Sequence, residues 1–380
     1  MANILTAVIP RLLAQGLMAL RENSITPRLV NRSYESLAGQ RGSAIDVPIP
    51  SAIVAQVVSP AAVPPSTADI APTFVAVPLD QWYEAPFELT DKDLLEVMEG
   101  TIPMQASAAI KALANNVDRF ILGLYPSFYS FSGTPGTTPF GSSTADATTT
   151  RKLLNKELAP LNDRHFIIDP DAEANALNLR AFQDASWSGT FEAIINGRLN
   201  ERLGFNWWMD QNIPTHTAGT LSDGTDHQAL TNGALLAGVT TMAIDSATLT
   251  GTVVVGDIFT FAGHTQTYVA TNLSTAAGNA IAAVTFAPAL RVNVGDGVVV
   301  TFQDTHVVNL AWQRDAIAFA TRPLQQTDGL GSVMSSAVDP ISGLTLRLEV
   351  SREHKRTRYS FDILYGAKVV RPELGARLAG

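Results

Sequence analysis

The sequence has 380 residues, 46% of them hydrophobic and only 16% charged, with a formal net charge of −9. That composition supplies a large core, excludes global disorder, and fits a subunit that covers much of its surface with partners. The chain has no cysteine, which excludes disulfides, thiolate catalysis and cysteine-held metals, and its acidic balance argues against broad affinity for nucleic acid.

The length suggests two or three domains. No apolar run reaches the ~20 residues of a membrane span. The opening stretch MANILTAVIPRLLAQGLMALREN lacks the pattern of a signal peptide, so synthesis inside a cell is expected. Residues 4–22 carry Ile9, Leu12, Leu13, Leu17 and Leu20 at helical spacing, and a polar arm follows Pro27. Residues 44–84 contain two extended, Pro-containing runs, AIDVPIPSAIVAQVV and TFVAVPLDQWYEA, around a Pro-rich tip. Pro48, Pro50 and Pro78 each remove a ladder donor, so the pair reads as a long two-stranded excursion and not as central strands. Because an isolated hairpin is marginal in water, it must fold back on its own domain or lean on another subunit, and its apolar tip favours the second.

Thr90 to Asp93 has the spacing of a capping box ahead of a helix over DKDLLEVME. A longer helix is expected through Ile110, Leu113, Val117, Phe120, Ile121 and Leu124. After a Gly/Ser/Thr/Pro loop at 127–148, a helix at TRKLLNKEL, a strand at RHFIID and a helix from Pro170 suggest an α+β body. Between His216 and His306 the composition changes: Lys and Glu vanish and Arg291 is the one arginine left. The runs TTMAI, IFTFAG, TQTYVA, AAVTFA and GVVVTFQ predict an all-β insert, barrel or sandwich, with a Gly-Asp turn ahead of two of its strands. The body resumes at NLAWQRDAIAFATRPL and closes with two strands, SGLTLRLEVSRE and TRYSFDILYG, before RPEL.

Few residues suggest chemistry. Asp169 and Asp171, just after a strand, would suit a metal-assisted phosphoryl site. No second acidic pair or phosphate-gripping lysine accompanies them, and a helix cap explains Asp169-Pro170 better. His216, His227, His264 and His306, with Asp223, Asp226 and Asp257 nearby, lack metal-ligand spacing, and SDGTD reads as a turn. The signatures of hydrolase elbows, dinucleotide cradles and P-loops are missing. No catalytic, cofactor or metal residue is therefore assigned. The basic cluster Arg352, Lys355, Arg356 and Arg358 is expected on a solvated hairpin turn, with nucleic acid or an acidic neighbour as the other reading. Beyond it Tyr359, Phe361 and Ile363 should face one way and Ser360 and Asp362 the other.

The order of these parts resembles the major capsid (coat) proteins of tailed bacteriophages, in particular those with a β-barrel insertion domain. The residues that carry the resemblance are ILTAVIPRLLAQGLMALRENS with LVNRSYE, DRHFIIDPDAE, GRLNERLGF, VVVGDIFTFAG, NLAWQRDAIAFATRPL and REHKRTRYSFDILYGAKVVRPELGARL. It implies an α+β capsid fold: an N-terminal arm (1–40), an extended loop (41–87), a spine helix and peripheral domain (88–150), an axial domain (151–215 and 307–335), an all-β insertion domain (216–306) and C-terminal peripheral strands (336–380). It implies a structural, non-enzymatic subunit without cofactors, assembled in the host cytoplasm as hexamers and pentamers of an icosahedral virion shell. The implied partners are other copies, a separate scaffolding protein, a portal protein and packaged double-stranded DNA contacted weakly, with no membrane.

Candidate contacts between copies are Arg41, Asp46, Trp82, Glu84, Arg352, Lys355, Arg356 and Arg358. Some relatives weld a loop lysine to an asparagine of a neighbour; residues 41–87 contain no lysine, so that weld is not expected. The arm begins at Met1, hence the expectation of a separate scaffold. The alternatives are a bacterial nanocompartment shell or, from another class, a glycan-binding or enzymatic virion protein. The insert's lack of clustered acids and aromatic platforms speaks against the last.

Overall fold

The computed structural model describes residues 24–34, 44–49, 60, 72–92, 101–183, 196–197, 199–325, 332–338 and 344–380. The expected helix at 4–22 lies outside these residues, and of that at 91–99 only 91–92 are described, both helical. The chain divides into two compact units. The first gathers described residues of 30–113 and 317–370, and the second those of 24–29, 114–316 and 371–380.

In the first unit, β3 (Gln81–Thr90), β18 (Ile317–Thr321), β19 (Ser332–Val338), β20 (Thr345–Glu353) and β21 (Arg356–Val369) form a five-stranded antiparallel sheet. β21 pairs with β20 from Arg347↔Asp362 to Glu353↔Arg356, with β3 from Arg356↔Thr90 to Tyr365↔Gln81, and with β18 from Ile317↔Val369. Tyr359, Phe361 and Ile363 are buried on one face as expected. Ser360 and Asp362 point the other way but are buried too. Ser360 donates to Glu84 Oε2 at 2.9 Å, and Arg347 Nε donates to Asp362 Oδ1 at 2.9 Å.

The two-stranded excursion appears as β1 (Ala44–Ile49) and β2 (Thr73–Pro78), antiparallel from Ala44↔Pro78 to Ile49↔Thr73. Ile45, Val47 and Val77 are buried, while Asp46 and Pro48 between them are exposed. Val47 and Val77 pack with Ala318 and Val370, so the described base of the excursion leans on its own unit. A side chain at Gly366 would collide with the Pro78 carbonyl, so glycine lets the base lie against β21. The second expected run, TFVAVPLDQWYEA, divides: its end leaves β1 and becomes β3, the partner of β21.

The spine helix α1 (Thr101–Leu122) contributes to both units, and buries Ile110, Leu113, Val117 and Ile121. Phe120 and Leu124, expected on the same face, are half-buried. In the second unit, β4 (Ser130–Gly133), β5 (Arg164–Ile168), β6 (Glu201–Arg202), β7 (Phe205–Met209), β8 (Thr215–His216), β17 (His306–Gln313) and β22 (Gly375–Ala379) form a seven-stranded mixed sheet. Helices α2 (Ala145–Lys156), α3 (Pro170–Asn178) and α4 (Arg180–Gln183) accompany it. Phe140, Phe166, Phe182 and Phe205 gather around Trp207 at 4.7–6.5 Å between ring centroids.

The C-terminus departs from the expectation of one peripheral block over 336–380. A short 3-10 turn at Pro372–Leu374 leads into β22, which pairs with β17 and β4 in the second unit. Gly375 starts it, and any side chain there would meet the Phe128 ring.

The all-β stretch closes into a six-stranded barrel, deciding between barrel and sandwich. Its order is β10 (Thr241–Asp245), β15 (Ala280–Ala287), β13 (Tyr268–Ala270), β12 (Ile258–Phe261), β16 (Val299–Phe302) and β9 (Gln228–Thr231), which returns to β10. A two-residue ladder, β11 (Thr252–Val253) with β14 (Ser274–Thr275), lies beside it. Phe259, Phe261, Tyr268, Phe286 and Phe302 fill the interior. The register His216↔His306 joins β8 to β17, so the chain leaves and re-enters the sheet at one place.

Asp118, buried on α1, accepts from Ile25 N (3.2 Å), Thr26 N (3.1 Å) and Thr26 Oγ1 (2.5 Å). Burial pushes its carboxyl from 3.8 to about 7, opposed by the Thr26 hydroxyl and seconded by the charge of Asp210. The folded chain thus holds this proton more tightly than the unfolded chain. The stabilisation is full below 3.8 and is lost as pH rises through about 7. In melting experiments, wild-type Tm should therefore fall relative to Asp118→Asn between pH ~4 and pH ~8. Parallel curves would contradict this.

Candidate assembly surface

The residues with chemical potential resolve into structural roles. Asp169 caps α3, its Oδ2 accepting from Asp171 N (3.2 Å) and Ala172 N (3.4 Å), as the capping reading expects. Asp223 Oδ1 accepts from Thr225 N and Asp226 N, both at 2.9 Å, making SDGTD a turn. These backbone donors lower its carboxyl pKa. His227 meets Asp304 at 3.2 Å, and His264 lies edge-on to Phe261. Among the described residues, no three metal-ligating side chains converge.

His216 and His306 instead belong to a buried joint between barrel and sheet. The fully buried Asp257 carboxylate is bonded to His216 Nε2 (2.9 Å) and accepts from Val254 N (2.8 Å) and Gly219 N (3.2 Å). On the far side of that ring, His216 Nδ1 is 3.0 Å from the Tyr125 hydroxyl. Arg377 of β22 lies over the Tyr125 ring at 5.1 Å and donates to Gly256 O at 2.8 Å. Burial holds the His306 imidazole down at about 4, which keeps it neutral at neutral pH. Ile258 and Val269, on the outside of the barrel, pack on Tyr129. Asp257 is the acid of one of the two Gly-Asp turns; that of the other, Asp296, accepts from Gly233 N at 2.7 Å. The repeated phrase thus marks a carboxylate that ties down backbone ahead of a strand.

The joint was not visible in the sequence, since Tyr125, His216, Asp257 and Arg377 are far apart along it. A second tie had a partial signal. Arg291, the lone arginine of the β stretch, donates to both Glu157 oxygens (2.8 and 2.7 Å), and Tyr129 OH donates to Glu157 at 3.2 Å.

The basic cluster is no open patch. β20 and β21 meet in a tight turn at His354-Lys355, with Lys355 at φ 54°. Arg352 donates to Asp91 (2.7 Å), Arg358 to Glu84 (2.9 Å), and Arg356 to Glu88 (3.1 Å) and Glu353. The sequence reading of a solvated turn holds, with Arg352, Lys355 and Arg356 exposed and Arg358 half-buried, while the three arginines also meet carboxylates of β3 and the segment after it. These pairs are open to solvent, which screens them, so each contributes little to stability. Trp82 is 62% exposed although its indole N–H donates to Asp362 Oδ2 at 3.2 Å. Asp46 is exposed on β1, and Arg41 lies outside the described residues. Pro86, Phe87, Glu88, Glu353, Arg356 and Arg358 line a shallow recess beside the pairs.

Removing the joint's carboxylate should cost stability. Asp257→Ala leaves two backbone N–H groups and His216 without their acceptor, at about 1–3 kcal/mol per buried group. Urea unfolding should register that loss, and an unchanged midpoint would contradict the role given to Asp257.

No protein-family model matches the sequence, and no curated protein matches it. Solved structures do. A structure from Mycobacterium phage Che8 is similar over 93% of this chain and 90% of its own, at 16% identity and a TM-score of 0.53. The capsid structure of cyanophage P-SCSP1u is similar over 94% of this chain and 88% of its own, at 12% identity and a TM-score of 0.51. At such identities the likeness is one of fold, and it runs along nearly the whole chain: this protein has the fold of phage capsid chains.

Proposed function

We propose that the chain is the major capsid protein of a tailed bacteriophage, a structural subunit that self-assembles as hexamers and pentamers into the icosahedral shell around double-stranded DNA. The observation that carries this reading is the end-to-end likeness to the phage capsid structure, with neither chain much longer than the match. In this reading 1–40 is the arm, 41–87 the extended loop, 88–150 and 336–380 the peripheral domain, 151–215 and 307–335 the axial domain, and 216–306 the insertion domain. A separate scaffolding protein guides assembly, a portal occupies one vertex, and the shell forms in the host cytoplasm before becoming the virion. The chain carries no catalytic function in this reading.

The charge supports a passive wall. Net charge is −9, and Arg352, Arg356 and Arg358 already face carboxylates of their own chain. Packaged DNA is then contacted weakly, which leaves it free to be ejected. Among the described residues put forward for contacts between copies, Asp46, Trp82, Glu84, Arg352, Lys355 and Arg356 are exposed and Arg358 is half-buried.

Electron microscopy and sedimentation of the purified chain, alone and with its scaffolding protein, test the reading. Closed shells are expected in at least one condition. Protein that stays monomeric in both would overturn it.

A further inference from the structure

The loop after α2 holds two large apolar side chains in water. Leu158 is 89% exposed and Leu161 is 68% exposed. One exposed leucine needs no explanation. Here two stand within four residues on a loop built to be rigid. Leu158 lies at φ 58°, the left-handed conformation that usually selects glycine just past a helix. Asp163 closes the loop at φ 52°.

A buried guanidinium grips the loop from beneath. Arg164 donates through Nε to Pro160 O (2.7 Å), through Nη2 to Ala159 O (2.7 Å) and through Nη1 to Asn155 Oδ1 (2.8 Å). Burying a cation and holding a leucine left-handed are both unfavourable in isolation. Together they keep two apolar side chains outward in a fixed geometry, which is what a docking surface needs. The Glu157–Arg291 ion pair brings the residues next to each partner together, and Val292, the neighbour of Arg291, is itself 61% exposed.

We infer that this apolar rim is an interface between copies of the chain, the Leu158–Leu161 loops of two copies packing about a two-fold axis. The inference rests on the shell reading and names a surface through which that assembly occurs. The flanking charge favours a second copy as occupant. Lys156 and Asp163 are exposed at opposite ends of the leucine pair and carry opposite charges. Two loops related by a two-fold axis run antiparallel, so each Lys156 meets the other copy's Asp163 while the leucines meet at the centre. A strongly acidic or basic partner gains nothing from such a balanced rim, and the one arginine of the β stretch is already held by Glu157.

The absence of cysteine makes the test direct. Leu158→Cys, with Leu161→Cys as a second reporter, is assembled into particles whose only protein is this chain. The particles are then oxidised for a non-reducing gel or treated with a maleimide. Disulfide-linked dimers are expected, with alkylation at least about tenfold slower than in the free subunit. Particles in which both reporters are alkylated at the free-subunit rate and form no dimer overturn the inference and leave the shell reading standing. Protection that requires an added second protein overturns it too. If the wild-type chain forms no particles under any condition, both readings fall together.

Discussion

Strand β21 is paired with β20 along one edge and β3 along the other, and both of its faces are covered. A strand so enclosed must satisfy every polar side chain it carries. Asp362 takes Arg347 and the Trp82 indole, and Ser360 takes Glu84. Glu84 also faces Arg358, and Glu88 and Asp91, further along the same segment, face Arg356 and Arg352. The pairing register thus commits the strongest cationic run of the chain to its own acids.

The second unit meets the same demand differently. A barrel with few charged residues offers few ion pairs to fix it to its neighbouring sheet. It is fixed by one buried carboxylate, Asp257, bonded to His216 and two backbone amides, and by apolar packing of Ile258 and Val269 on Tyr129. Such a network is costly if half-satisfied and directional when complete. The Glu157–Arg291 pair adds a second point of attachment, and two points resist rotation where one would not.

Much of this was legible in the sequence wherever the signal was local. The β20–β21 hairpin followed from alternation, α1 from apolar spacing, the cap at Asp169 from Asp-Pro after a strand, and the barrel from short β runs parted by turns. The resemblance to phage capsid proteins came from the order of these parts. What escaped was decided by residues far apart in the chain. Alternation in β21 implied one wet face, because it could not reveal β3 covering Ser360 and Asp362 from about 280 residues away. Spacing gave the histidines of the β stretch no metal site, and it could not show that His216 is bonded to Asp257. β22 was missed because GARLA is too short and too Gly/Ala-rich to read as a strand, and its pairing with β17 and β4 overrides that weak propensity.

The arginines of the basic turn are paired with acids of their own chain, which fits the proposed shell subunit better than a nucleic-acid binder. A density map of DNA-filled particles at side-chain resolution tests it most directly. The account predicts Arg352, Arg356 and Arg358 still paired with Asp91, Glu88 and Glu84 of their own chain. Guanidinium groups turned away from those carboxylates onto DNA phosphates would contradict it.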